Sequence, residues 1–595
     1  MKFRSLKKWD DPSNNAPLVY FAQLMEELSY DKTPSTYKPS VMHTALLGIE
    51  LSETIDNVEN GIIRAPNIDH VAGEFCSSLS KHPIADKLLN VPSGLLIGSL
   101  KNKAGSTGSK QLTVDLVVNQ LRSSAYRRAC EETVIEQIES AQCSYDILRA
   151  ATRNYVTTLL SLGYSSKYIH EIVLKNFHYD KNRIGQAKAA LKAFFEVFDN
   201  QTKKYTLVFK ADKIFLTVAE ALKELRIEIS REPPGDIDLS AHVNFLRTEP
   251  THVYATLRDI PAKEPYAARQ NGERIMRVAA TFLTLFHHRD RPTWLSDAIV
   301  HFGDAAISRL HPRGMNAMHK GADLPPEVAA RKMKDFLEKF SLHEEAFHKF
   351  MRSAQLHALA AGSSSDENQL LNLWIAIESL IPAETKSSQE ATIEHIVNSL
   401  LPVLSYDYFE RLVNHLVKDL LHWDKPFVLS QFKGIPGKTF TERLLRIMGL
   451  PDHATQYDSL ISRCRDFALL EKRIDYLKSI SASPSALSSL LDGHEERVSW
   501  QIRRIYRTRN IIVHSGETPS HTNVLIELAH EYLDNVLNLL TKLASRPSQI
   551  STVAEGFTLA QLHYQDYKNS LSQKNFVLSA GTIVPTMFMR KSLRT

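Results

Sequence analysis

Helical periodicity runs through most of this chain and is interrupted in the middle by strand-forming residues. Apolar side chains recur at intervals of three and four residues before about residue 200 and again after about residue 336. In between, residues 205–209, 227–229 and 253–257 are rich in β-branched and aromatic side chains, which favours strands. The sequence therefore predicts a mainly α protein with a small mixed α/β region at its centre.

Length and composition favour several globular domains. A chain of 595 residues is about four times as long as a typical domain of roughly 150 residues. Hydrophobic residues make up 43% and charged residues 23%, as in ordinary folded proteins, which excludes a disordered or fibrous class. We predict four units: a helical N-terminal region at 1–200, a mixed α/β sensory or regulatory region at 201–335, a helical domain at 336–545, and a basic tail at 546–595. Within the tail, the runs 575–578 and 582–588 are strand-like.

Charge, cysteine usage and hydropathy set limits on location and cofactors. The formal net charge of +5 is weak evidence for a polyanionic partner in so long a chain. The four cysteines have no spacing typical of zinc or redox pairs, which favours a reducing compartment. The N-terminus lacks the apolar core of a signal peptide, and no run of about 18 apolar residues predicts a membrane helix. We therefore expect a cytoplasmic protein that needs no metal or other cofactor.

One predicted helix, at 494–514, places an arginine in the middle of an apolar stripe. Helical spacing puts five residues on this stripe, namely Val498, Ile502, Ile505, Arg509 and Ile512. Burying a guanidinium without a partner is expensive, so Arg509 must find an anion. Ser515 and Gly516 predict that the helix ends just after His514.

A carboxylate for Arg509 is available on an earlier predicted helix. This helix ends before Pro382 and carries Glu378 on one face with Leu371, Trp374 and Ile375. The sequence predicts that Glu378 pairs with Arg509, either as a purely structural ion pair or to orient a catalytic arginine.

Besides Arg497 and Arg509, the same helix carries three more arginines, namely Arg503, Arg504 and Arg507. Arginine suits phosphate contacts, so we predict that these residues bind RNA. A solvated charged face would explain them equally well.

A family resemblance is carried by three segments: Arg509-Asn510-x3-His514 followed by Ser515-Gly516, the preceding Tyr506-Arg507, and the upstream run 373–378. These segments resemble HEPN domains of the ApeA-like group. HEPN domains are small helical bundles whose ribonuclease members carry R-x4-6-H, usually with a polar residue after the arginine. Arg509, Asn510 and His514 match those positions. The resemblance is confined to 336–545, and the residues before it lack the strand-rich character of the N-terminal part of ApeA proteins.

The resemblance implies a metal-independent endoribonuclease that uses the RNA 2′-hydroxyl as its nucleophile. His514 would be the general acid and base, Arg509 would hold the scissile phosphate, and Asn510 would orient one of them. It further implies a toxin or antiphage effector that cleaves tRNA or mRNA. The N-terminal regions would sense a trigger, such as one derived from a phage, or restrain the nuclease.

The resemblance also implies a homodimer, because HEPN nucleases generally build a composite site between two copies. The next predicted helix carries an apolar stripe of eight residues: Leu525, Leu528, Ala529, Tyr532, Val536, Leu539, Leu540 and Leu543. Either the bundle itself or a second copy could bury this stripe. The alternative function is a catalytically inactive HEPN scaffold that binds RNA or protein, in which Arg509 simply pairs with Glu378.

Overall fold

The computed structural model describes residues 2–12, 14–81, 83–102, 106–179, 183–246, 251–303, 309–321, 323–388, 390–572 and 578–589. These residues form a mainly helical protein, as predicted. The helices before the sheet are α1 (Ala16–Ser29), α2 (Thr44–Glu59), α3 (Pro66–Lys81), α4 (Pro83–Leu88), α5 (Ser93–Lys101), α6 (Thr107–Gln120), α7 (Ser123–Glu139), α8 (Tyr145–Ser161), α9 (Ser166–Leu174) and α10 (Ala187–Glu196). The middle of the chain holds the strands β1 (Lys203–Asp212), β2 (Ile227–Ser230), β3 (His252–Ala262), β4 (Trp294–His301) and β5 (Arg309–His311), with the helices α11 (Ala219–Leu222), α12 (Val243–Leu246) and α13 (Pro265–Phe286).

The remaining helices follow the sheet. They are α14 (Pro326–Lys339), α15 (Glu344–Gly362), α16 (Asp366–Leu380), α17 (Thr392–Ser405), α18 (Tyr408–Phe432), α19 (Phe440–Gly449), α20 (Ala454–Arg463), α21 (Ala468–Ser481), α22 (Pro484–Ser515), α23 (Thr522–Ala544), α24 (Val553–Leu571) and α25 (Ile583–Met587). Helix α18 is kinked at Asp424, two residues before Pro426, because proline cannot continue the helical hydrogen-bond ladder.

The middle region is an antiparallel sheet covered by one long helix. Within the described residues the strand order is β2-β3-β1-β4-β5, and the predicted strand runs at 205–209, 227–229 and 253–257 lie in β1, β2 and β3. Helix α13 packs against β1 at Gly272, where an added Cβ would overlap Leu207. The sheet and the helix packed against it confirm the predicted mixed α/β region.

Two helical cores share the rest of the chain, and their limits differ from the predicted boundaries. The first core joins the N-terminal helices to residues 408–491 and 564–589. The second contains residues from 317–404 and 498–560. Helix α22 belongs to both cores, since Leu487 and Leu491 lie in the first, whereas Ile502 and Ile512 lie in the second. The predicted unit 336–545 is therefore not one packing unit. Sequence periodicity predicts a helix but does not show which other helices it packs against.

The predicted basic tail is largely folded. Helix α24 buries Val553 and Phe557 in the second core and Tyr564 in the first. The strand-like run 582–588 is mostly helix α25, and residues 575–577 lie outside the described part of the chain. The strand prediction at 582–588 is wrong because a short apolar run has no periodicity that distinguishes a strand from a helix.

None of the described helices combines the length and apolar character that crossing a membrane requires. All four cysteines are free, namely Cys76, Cys130, Cys143 and Cys464. Burial raises the pKa of the Cys464 thiol to about 12, so this thiol is not a reactive nucleophile at neutral pH.

Candidate active site

Helix α22 carries the candidate dyad at its C-terminal end. The helix begins after Ser483, whose hydroxyl accepts a hydrogen bond from the Ala486 amide at 3.2 Å. It ends at Ser515, and the next residue, Gly516, has φ of +72° and donates its amide to the Ile512 carbonyl at 3.2 Å. Glycine adopts this left-handed conformation at little cost because it has no Cβ. The predicted end of the helix is confirmed, and His514 lies exposed in its last turn.

Arg509 lacks the anion that its position demands. The apolar members of its stripe, Val498, Ile502, Ile505 and Ile512, are buried, and Arg509 itself is half-buried. Its Nη1 donates to Asn510 Oδ1 at 3.0 Å, whereas its Nε is buried without a hydrogen-bond partner. Within the described ranges, no carboxylate forms an ion pair with this guanidinium. The guanidinium of Arg509 is therefore available to an anion from outside the described residues.

The predicted pair between Arg509 and Glu378 is not formed. Glu378 is half-buried on α16 and makes no ion pair with Arg509 in the part of the chain that the structure describes. Ile375, predicted on the same inward face, is 38% exposed. Helix α16 instead contacts α22 through Trp374 and Tyr506, whose ring centroids lie 5.6 Å apart. The face of α16 that packs against the core is therefore not the face that carries Glu378.

Arg504 and Arg507 form a buried ion cluster with the N-terminal region. Arg504 donates Nε to Glu50 Oε1 at 3.0 Å and Nη2 to Glu50 Oε2 at 2.8 Å, and Nη2 also reaches Glu74 Oε2 at 2.6 Å. Arg507 Nη2 donates to Glu50 Oε1 at 2.7 Å. The two arginines are only 2% and 4% exposed. In this conformation α2 and α3 neutralise both arginines, so a predicted contact with RNA would have to replace these ion pairs.

The pKa values in this cluster follow from burial and from the two guanidinium groups. Burial acts to raise the pKa of Glu50, but Arg504 and Arg507 outweigh it and hold that pKa well below its ordinary value. Burial raises the pKa of Glu74, which has a hydrogen bond from Arg504 only. His521, which follows α22 in the chain, has its pKa lowered to about 4 by burial and by the arginines. Its imidazole is therefore neutral at pH 7.

Arg503 is also engaged within the chain. Its Nη2 donates to Glu394 Oε2 on α17 at 2.7 Å, and its Nε lies 3.3 Å from Glu394 Oε1. His70 of α3 contacts the same carboxylate, with 3.2 Å between Nε2 and Oε1. The arginine side chain keeps 13% exposure, so a predicted phosphate contact here would compete with an existing ion pair.

Acidic side chains lie beside the loop that follows His514. Thr518 donates to Glu367 Oε1 at 2.7 Å and thereby ties this loop to the start of α16. Burial raises the pKa of Glu53 on α2, and the nearby carboxylates of Glu50, Asp56 and Glu517 raise it further. Glu53 of the N-terminal region is thus close enough to interact with Glu517, which lies three residues after His514.

The apolar stripe of α23 is used inside the chain. All eight of its residues are buried in the second core: Leu525, Leu528, Ala529, Tyr532, Val536, Leu539, Leu540 and Leu543. Of the two alternatives, packing within the bundle is therefore correct, and this stripe is not available as a dimer surface.

One group of side chains with metal-ligand chemistry is present in the described part of the chain. It consists of His357 on α15 and of His530 and Asp534 on α23. Neither Arg509 nor His514 belongs to it. The spacing of four between His530 and Asp534 is visible in the sequence, but the third member lies on another helix, so the pattern was missed.

Comparison with known proteins adds no relative. No protein-family model, no curated protein and no solved structure matches this chain. The HEPN resemblance rests on the residues of α22 and α16 that carry it.

Proposed function

We propose that this protein is a metal-independent endoribonuclease of the HEPN type, with Arg509 and His514 as its catalytic residues. One observation carries the proposal: the half-buried Arg509 guanidinium has a buried Nε without a partner and receives no carboxylate from the described residues. Its neighbours Arg503 and Arg504 are neutralised within the chain. A phosphate supplied by RNA would complete the environment of Arg509.

The chemistry follows from the charges that develop during RNA cleavage. The 2′-hydroxyl attacks the adjacent phosphorus, its proton passes to a base, and the 5′-oxygen leaves with a proton from an acid. His514 is exposed and free to approach RNA, and histidine can serve as both base and acid. Arg509 would donate charge-assisted hydrogen bonds to the phosphate oxygens, while Asn510 Oδ1 orients the guanidinium through Nη1. The products would be a 2′,3′-cyclic phosphate and a 5′-hydroxyl.

The geometry of one helix favours a site shared between two copies. Residues five apart on a helix point about 140° away from each other and lie about 7.5 Å apart along the axis. Arg509 and His514 of one copy are thus poorly placed to hold the same phosphate, whereas two facing helix ends could pair Arg509 of one with His514 of the other. We infer a homodimer that uses the exposed end of α22, where Val513 is 48% exposed, and not the buried stripe of α23.

We further infer that the N-terminal region restrains the nuclease. Glu50 and Glu74 hold α22 through Arg504 and Arg507, and Glu53 adds negative charge beside the loop after the dyad. Negative charge disfavours the approach of a polyanion. A trigger derived from a phage would move α2 away from this site, and the RNA attacked would be tRNA or mRNA in the cytoplasm.

An inactive scaffold is the alternative. The structural pair between Arg509 and Glu378 that this scaffold would use is not formed among the described residues. A scaffold that binds RNA without cleaving it would also supply a phosphate to Arg509, so RNA cleavage is the measurement that separates the two functions.

The test is RNA cleavage by the full-length protein in the presence of EDTA. Wild type, Arg509→Ala and His514→Ala are incubated with total tRNA and with an mRNA, and both termini are mapped by sequencing. Arg331→Ala on α14 and His348→Ala on α15 are matched controls, because both side chains are exposed and lie outside α22. We expect cyclic-phosphate ends from wild type and the controls, and at least about a 100-fold loss in each dyad variant. Folded dyad variants that cut the same bonds at the wild-type rate would refute the assignment.

A further inference from the structure

Three side chains on two helices converge on one point that the proposed nuclease chemistry does not use. His357 Nε2 lies 2.9 Å from His530 Nε2. Asp534 Oδ1 lies 3.7 Å from His357 Nε2, and Asp534 Oδ2 lies 3.5 Å from His530 Nε2. One potential ligand atom from each of the three residues lies within 4.8 Å of the other two.

Hydrogen bonding explains only part of this convergence, because one N–H···N bond can join the two imidazoles and none reaches Asp534. Two facing imidazole nitrogens can share one proton only, and two protonated rings would repel each other. The distances of 3.5 and 3.7 Å from the nitrogens to Asp534 exceed the length of a hydrogen bond. Ligands bound tetrahedrally at about 2.0–2.2 Å are separated from each other by roughly 3.3 Å. The observed separations of 2.9, 3.5 and 3.7 Å lie on both sides of that value.

The packing of helices α15 and α23 brings the three side chains together. His530 and Asp534 are four residues apart on α23 and therefore point from the same face. His357 comes from α15, and both α15 and α23 pack against α16, whose Leu370 and Leu373 are fully buried. The side chains of His530 and His357 are 14% and 29% exposed, and that of Asp534 is 49% exposed. The group is thus shielded on one side and open to solvent on the other.

We propose that His357, His530 and Asp534 bind one divalent transition-metal ion, with Zn²⁺ as the best match to two imidazoles and one carboxylate. Three protein ligands leave a fourth position for water. His319 and Asp323 lie close enough to act electrostatically on His530, so the ion enters a site with a further carboxylate nearby. The ion would link α15 to α23, the helix that follows the loop after the dyad. This structural role does not rest on the proposed function.

The first test measures metal binding directly. Full-length protein is stripped with EDTA, desalted and titrated with Co²⁺, with visible absorption as the readout and Zn²⁺ as the competitor. We expect one equivalent of Co²⁺ to bind with tetrahedral d–d absorption and to be displaced by Zn²⁺. His530→Gln and Asp534→Asn should weaken binding at least 10-fold. His348→Gln is the control, because this exposed histidine lies on α15 but outside the group.

The second test uses only wild-type protein and so does not depend on how the variants fold. Diethyl pyrocarbonate modifies accessible imidazoles, and mass spectrometry locates the modified residues. Zn²⁺ should protect His357 and His530 while His348 reacts equally with and without the ion. Equal labelling of His357 and His530 in both conditions, or Co²⁺ binding that is unchanged in a folded His530→Gln variant, would overturn the proposal.

Discussion

Arg504 donates two parallel hydrogen bonds to the carboxylate of Glu50, from Nε at 3.0 Å and from Nη2 at 2.8 Å. These hydrogen bonds join α22 to α2, although Arg504 and Glu50 are 454 positions apart in the chain. The side chain of Arg504 is 2% exposed and that of Glu50 is 11% exposed. The helix that carries the candidate dyad is therefore positioned by a residue near the start of the protein.

Glu50→Ala should destabilise the fold strongly. The substitution leaves Arg504 and Arg507 buried with Glu74 as their remaining carboxylate, and breaking a buried ion pair from one side costs about 3–5 kcal/mol. Equilibrium unfolding in urea measures the loss. Glu59→Ala is the matched control, because Glu59 is exposed at the end of the same helix and should change the free energy of unfolding by less than about 0.5 kcal/mol. Equal effects of the two variants would contradict the role of the cluster.

Arg509→Met and Arg504→Met should act on stability in opposite directions. Methionine has a similar length and no charge, so at position 509 it removes a half-buried guanidinium that lacks a carboxylate partner. We expect the free energy of unfolding to stay constant or to rise by about 1 kcal/mol. At position 504 the same change removes the guanidinium that pairs with Glu50 and Glu74. We expect it to lower the free energy of unfolding by about 3–5 kcal/mol. A large loss of stability in Arg509→Met would show that Arg509 has a structural partner and would count against its catalytic role.

Stability should fall as the pH decreases from about 6.5 towards 4. Burial lowers the pKa of His178, His415 and His521 to about 4, whereas an unfolded histidine titrates near 6.5. Between these values the unfolded chain binds protons that the folded chain refuses, so acid favours unfolding. Each histidine should contribute on the order of 1–3 kcal/mol, fully present above about pH 6.5 and lost on the way down to about pH 4.

The measurement is the free energy of unfolding in urea at several pH values between about 7 and 4.5. The side chain of His178 is 2% exposed, so His178→Gln should reduce the slope. The exposed control His348→Gln should leave it unchanged. An identical pH profile for wild type and His178→Gln would disprove the contribution of this residue.

Two glycines should respond differently to the same added methyl group. Gly272→Ala pushes a Cβ into Leu207 where α13 crosses β1, and overpacking of this kind costs about 1–3 kcal/mol. Gly98 lies in α5 with open space around its Cβ position, so Gly98→Ala should stabilise the protein by about 0.5–1 kcal/mol. Thermal unfolding distinguishes the two results. A neutral Gly272→Ala would mean that the helix can shift away from the sheet.

Local sequence signals predicted the secondary structure around the candidate site well. The end of α22 at Ser515 and Gly516 and the apolar spacing of this helix were predicted from the residues themselves, as were the strands at 205–209 and 253–257. Helix α24 was not predicted, because the tail was interpreted from its basic residues and not from the spacing of its apolar residues. The predicted ion pair between Glu378 and Arg509 was wrong, because residues that share a helical face do not show which neighbouring helix this face contacts.

The amino-acid sequence by itself determined where α22 ends, that Arg509 stands on an apolar stripe, and that a β-rich region separates two helical parts. These properties depend on residues within a few positions of each other, so helical spacing and glycine conformation reveal them. Only the tertiary structure decided which arginines have carboxylates and that His357 meets His530. Those contacts join positions 173 to 457 residues apart, and the energy of a charge depends on its surroundings in space. The tertiary fold therefore pairs Arg504 and Arg507 and leaves Arg509 without an anion.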